Sequence, residues 1–134
     1  MSLDANIANM VKSVPECVAA GVVDIQTGML LGIKTIDSHP QEVIDLVAAA
    51  TGDLFQGPNV VAVESLFKKI RGVTDNKHHY FQEIVILSDN LIHVFQRGKR
   101  NEDVVTIVVC RISASLGMVL SKARAALPAI EGAL

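Results

Sequence analysis

The sequence predicts a two-layer α+β domain: helices on a five-stranded antiparallel sheet whose strands run in the order 2-1-5-4-3. Three observations lead there. Five short β-branched, apolar stretches are separated by turn signals, and every strand connection but one is of hairpin type. Amphipathic helical patterns stand before, between and after them, in the order helix, two strands, long broken helix, three strands, helix. The most apolar strands, 17–25 and 103–112, belong in the middle as neighbours, which leaves 29–36 and 80–88 as edges. The long helix is expected on one face, with the N- and C-terminal helices packed on the sheet.

Each element follows from its residues. Leu3, Ile7, Met10, Val11 and Val14 form one apolar stripe, with Ser2 as cap and Pro15 as stop. Cys17 to Ile25 is a strand, Gln26-Thr27-Gly28 a turn, and Met29 to Ile36 the returning strand. Ser38-His39-Pro40-Gln41 signals a helix start. Val43, Val47, Ala50 and Leu54 line one face of that helix, and Ile44, Leu46, Ala48 and Ala49 widen its apolar surface. Gln56-Gly57-Pro58-Asn59 interrupts it, with Asn59 able to cap a new helix. Val63, Leu66, Phe67 and Ile70 continue at helical spacing to a stop at Gly72. After a polar loop, Tyr80 to Ser88, Leu91 to Arg97 and Asp103 to Ile112 form a meander. Its first turn, Asp89-Asn90, suits positive φ. Leu116, Val119, Leu120, Ala123 and Leu127 mark a last helix, with Ser113 or Ser115 as cap and Pro128 as stop.

The 134 residues fit one domain, with a core over about 4–127 and a fraying tail at 129–134. Half of the residues are hydrophobic (50%) and only 19% are charged, a surplus that a partner surface would cover. A net charge of −2, no Trp and 4% aromatics argue against nucleic-acid binding. No apolar run approaches the ~20 residues of a membrane span, and the start lacks a secretion-signal pattern, so the cytoplasm is expected. Cys17 and Cys110 have no metal-ligand spacing and read as small buried hydrophobes. If the first and last strands are antiparallel neighbours, the two cysteines approach each other.

No catalytic constellation stands out: there is no GxSxG elbow, no Walker A loop and no GxGxxG. His78 and His79 read as solvated loop groups, with His93 on a neighbouring strand, rather than as a metal-ligand set, and no cofactor is expected. Asp24, Asp37, Glu42 and Asp45 read as turn, cap and surface residues. Lys68, Lys69, Arg71 and Lys77, like Arg97, Lys99 and Arg100, read as solvated surface that could meet an acidic partner. The strand 80–88 has no Pro or Lys, and Glu83 is its only charge. Such an unblunted edge invites pairing with a second copy through Phe81, Glu83, Val85 and Leu87. The wide apolar helix face at Val43, Val47, Ala50 and Leu54 points the same way.

From Ile7 to Leu127 the order of parts resembles the Roadblock family, named for a dynein light chain and widespread in bacteria. The resemblance lies in the hairpin Gly21-Val22-Val23-Asp24-Ile25-Gln26-Thr27-Gly28-Met29-Leu30-Leu31, with its Asp and its turn Gly. It continues in the Ala- and Leu-rich helix from Glu42 to Leu54, the meander, and the junction Val108 to Val119 with its Leu116-Gly117. The split at 56–59 departs from relatives whose helix runs unbroken. The resemblance implies a profilin-like fold and a non-catalytic homodimer with sheets joined edge to edge and long helices side by side. It further implies binding or regulation of a small Ras-like GTPase. The competing reading is a small-molecule sensor of profilin-like or PAS-like layout, which needs a cavity with convergent polar groups.

Overall fold

The computed structural model describes residues 2–36, 41–72 and 78–134, excluding the side chains of 41–45. The helix-start signal at Ser38-His39-Pro40, together with Asp37 and Lys77, falls outside the described residues.

Among the described residues, nine elements stand in the expected order: α1 (Leu3–Ser13), β1 (Cys17–Asp24), β2 (Met29–Thr35), α2 (Gln41–Gln56), α3 (Pro58–Ile70), β3 (Glu83–Leu87), β4 (Leu91–Arg97), β5 (Val104–Arg111) and α4 (Leu116–Gly132). The sheet is antiparallel throughout and ordered β2-β1-β5-β4-β3, as the apolar weighting of the strands predicts.

Successive residues of a strand point to opposite faces, so the central strands carry two cores. Val22, Val94, Val108 and Cys110 join Ile7 and Met10 of α1 and Val119, Ala123 and Ile130 of α4. Their neighbours Val23, Phe95, Val105 and Ile107 join Ala48 and Phe55 of α2. Helices therefore lie on both faces, α1 and α4 on one and α2 on the other. Ser2 caps α1 by accepting from the Ala5 N–H at 3.1 Å, and Ser115 caps α4 by accepting from the Met118 N–H.

Two glycines set the first hairpin. Gly28 holds φ +72° in the turn, and its N–H donates to Asp24 O at 2.8 Å. A Cβ on Gly32 would stand 2.7 Å from Ile7 Cδ1, so any larger residue would have to displace the end of the Ile7 side chain where α1 packs on β2.

Four expectations are corrected. β3 starts at Glu83 rather than Tyr80, because the Tyr80 and Phe81 N–H groups are already donated to the Glu64 carboxylate. Gly57, not Asn59, is the N-cap of α3, with Pro58 at the first helical position. The Asp89-Asn90 turn forms without positive φ, Ser88 donating its N–H to Leu91 O at 2.9 Å. Finally, α4 runs through Pro128 to Gly132. Ile130 is buried in the core there, and Glu131 accepts from the Lys99, Arg100 and Asn101 N–H groups at 2.9, 2.7 and 3.1 Å. These contacts offset an interior proline's cost of about 3 kcal/mol, so 129–132 belong to the helix rather than to a frayed tail.

Candidate functional site

The helix α3 is turned inside out relative to a core helix. Its apolar stripe, Val63, Leu66, Phe67 and Ile70, faces solvent, with Leu66 56% and Ile70 71% exposed. Its inward residues are Glu64 at 3% and Lys68 at 6%. Hydrogen bonds make that burial tolerable. Glu64 accepts from the Tyr80 N–H at 2.5 Å and the Phe81 N–H at 2.9 Å, and meets His79 Nδ1 at 3.3 Å. Burial pushes its carboxyl upward, but the bonds from Phe81, His79 and Tyr80 together hold it below the usual carboxylate range. Lys68 Nζ donates to His78 O. The segment leading into β3 is thereby clamped onto α3.

The clamp carries an aromatic group to the surface. The Phe67 and Tyr80 rings stack at 5.6 Å, Phe81 meets both edge-on at 6.3 and 5.8 Å, and Arg71 lies over Tyr80 at 5.7 Å. Behind it, Arg97 is buried and donates to the carbonyls of Phe81, Glu102 and Phe55, which fixes the end of α2 against β4. Beyond Phe81 the surface continues along the edge strand, where Val85, Ile86 and Leu87 are exposed.

The expected interface residues divide accordingly. Val85 and Leu87 lie exposed on the edge, and Val47 and Ala50 are exposed on α2. Phe81 is half-buried and precedes the strand. Glu83 turns to α4, where Arg124 Nη2 and Nε reach its carboxylate at 2.6 and 2.8 Å. Arg124 and then Gln96 hold that carboxyl low against the opposing effect of burial. Leu54 is half-buried against the α2-side core, and the Val43 side chain is outside the described ones. Lys68 and Arg97 are no solvated cations, contrary to the sequence reading.

A cavity of about 700 Å³ opens between α2 and the sheet. Ala19, Gly21, Ile33, Val47 and Val109 form apolar walls, with His93 and Thr35 among the polar groups. Burial lowers the His93 imidazole's proton affinity, and its Nε2 lies 3.3 Å from Ser88 Oγ. His78 pairs with Glu102 at 2.5 Å and His79 with Glu64, so the three histidines have separate partners. Among the described residues no group of three His, Cys, Asp or Glu could hold a metal ion, and no buried side-chain nitrogen or oxygen lacks a partner. Glu64, Lys68, Arg97 and Glu131 hold loop backbone in place, whereas Thr51, Thr106 and Gln96 bond within helix or sheet.

Solved structures share this fold. MglB of Myxococcus xanthus superimposes with a TM-score of 0.71 at 18% identity, covering 98% of this chain and 96% of that one. A Roadblock/LC7 domain of Streptomyces avermitilis gives 0.69 at 14%, covering 98% and 97%. MglC of Myxococcus xanthus gives 0.61 at 15%, covering 100% of both chains.

The chain has the Roadblock/LC7 fold.

No protein-family model matches the sequence, and no curated protein matches it. At these identities the likeness shows the fold alone. Sequence reasoning missed Glu64, Lys68 and Glu131. A signal for the first two exists, since they stand four apart opposite the apolar stripe. Periodicity does not say which side of a helix faces inward.

Proposed function

We propose that this protein is a non-catalytic cytoplasmic scaffold, a homodimer that binds or regulates a small Ras-like GTPase. The observation that carries the reading is the outward apolar stripe of α3, continuous through Phe67, Tyr80 and Phe81 with the exposed edge β3. In the dimer, β3 edges pair and the α2–α3 faces lie side by side, which covers surface a monomer leaves wet. Self-association has a precedent within the fold: MglB occurs in a tetrameric arrangement, in a structure 20% identical that covers 97% of this chain and 88% of that one. The GTPase assignment rests on the resemblance to Roadblock proteins. Among the described residues no helix is long and apolar enough to cross a membrane.

Light scattering on a sizing column tests the dimer, with an expected mass of twice 14.3 kDa. Val85→Lys on the edge returns the mass to the monomer value; an unchanged dimer would remove β3 from the interface. Titration with a Ras-like GTPase, loaded with GDP or a non-hydrolysable GTP analogue, tests the partner. Equal, unsaturable signals in both states would sink it. The cavity favours one other reading, a small-molecule sensor, since its volume falls within the ~300–1,000 Å³ of ligand sites. Native mass spectrometry decides it: a retained small molecule supports the sensor, and a bare chain mass supports the scaffold.

A further inference from the structure

A second pair of facing groups lies away from the docking surface. Cys17 opens β1 and Cys110 is the penultimate residue of β5, and the two are cross-strand partners. Arg111 donates its N–H to Glu16 O at 3.1 Å, a bond that flanks the Cys17/Cys110 pair and makes that pair one of the non-hydrogen-bonded kind. Pairs of that kind bring their Cα atoms to about 4.5 Å with both side chains on one face. A disulfide takes Cα separations of about 4.4–6.8 Å. Both thiols are free and buried in the same core cluster. The Cys17 thiol donates to Ala19 O at 3.2 Å, and the two facing sulfurs shift each other's proton affinity, Cys17 downward and Cys110, which burial also raises, upward.

We propose that Cys17 and Cys110 form a redox-convertible dithiol, which hydrogen peroxide closes to an intramolecular cross-strand disulfide. The Cys17 thiolate attacks a peroxide oxygen, breaking the O–O bond and giving a sulfenic acid and hydroxide. The Cys110 sulfur then attacks the sulfenic sulfur and expels its oxygen. The two thiol protons leave with the two oxygens as two waters, and the peroxide takes the two electrons. Because both thiols are buried, the oxidant enters when the start of β1 opens. That stretch holds Pro15, Glu16 at φ +51° and a register shift between Cys17 and Ala19. The bond would tie the first strand to the last and close a long loop, where closure restricts the unfolded chain most. The edge β3 lies beyond β4, so self-association continues in the oxidised form.

The test treats the folded full chain with hydrogen peroxide, alkylates the remaining thiols, and maps peptides without reduction. The expected result is a loss of two hydrogen masses and one cross-linked peptide pair containing Cys17 and Cys110, reversed by dithiothreitol. The melting temperature should rise on the order of 10 °C, and the rise should vanish on reduction. Cys17→Ser and Cys110→Ser should each retain one thiol and show no rise. Should either variant fail to fold, the wild-type peptide map decides alone. Sulfinic or sulfonic products, a bond between two chains, or no reaction in the folded chain while the urea-unfolded chain oxidises would overturn the proposal.

Discussion

The helices α3 and α4 are both amphipathic, yet they face opposite ways. α4 buries Val119, Ala123, Leu127 and Ile130, whereas α3 buries Glu64 and Lys68 and shows its apolar side to water. A helix of the first kind closes a core. One of the second kind leaves apolar surface uncovered at about 25 cal/mol per Å², a driving force for association. α4 thus adds to the larger core, whereas in the proposed dimer the outward face of α3 and the edge β3 supply the surface that associates.

The largest effect should come from α4. Ile130→Ala opens a cavity in the main core and should cost about 2–5 kcal/mol in urea unfolding. The counterpart on α3 is Glu64→Ala, which strands the Tyr80 and Phe81 N–H groups and should cost about 1–3 kcal/mol. A loss no larger than that of an exposed glutamate would show that the inward face of α3 is not a clamp. Acid sharpens the contrast. The folded-state pKa of Glu64 is depressed, so its contribution is full above the unfolded value, near 4.3, and fades as pH falls through the folded value. Glu64→Gln should flatten the stability profile in that window, measured by urea midpoints. A gain of similar size is expected from Pro128→Ala, which restores an N–H inside α4: about 1–3 kcal/mol, read from the melting temperature. The smallest change in stability should be Leu66→Asp, within about 0.5 kcal/mol for the monomer, although this variant should abolish the dimer on a sizing column. A Leu66→Asp chain that stays dimeric would confine the interface to β3.

The elements that were legible are those whose reasons are local. Gly28 marks its turn through φ, Pro15 ends α1 through its ring, and β-branched runs mark β1 and β5. Strand order also followed, because the strands apolar on both faces must be central. The errors have non-local causes. Tyr80 and Phe81 have strand-forming side chains, but a carboxylate sixteen and seventeen positions upstream takes their N–H groups. Pro128 is a local stop signal outweighed by the buried Ile130 and by Glu131 holding a loop some thirty positions away. Of the expected interface residues, Glu83 is held by Arg124, forty-one positions away.

The sequence by itself determined the elements, their order and the antiparallel sheet, since backbone preference and the periods of apolar residues act over a few neighbours. Only the tertiary structure decided which side of α3 faces inward, where β3 begins, how far α4 extends, and the register that sets Cys17 directly opposite Cys110. Those outcomes depend on hydrogen bonds and packing between residues far apart in the chain, which no local pattern encodes.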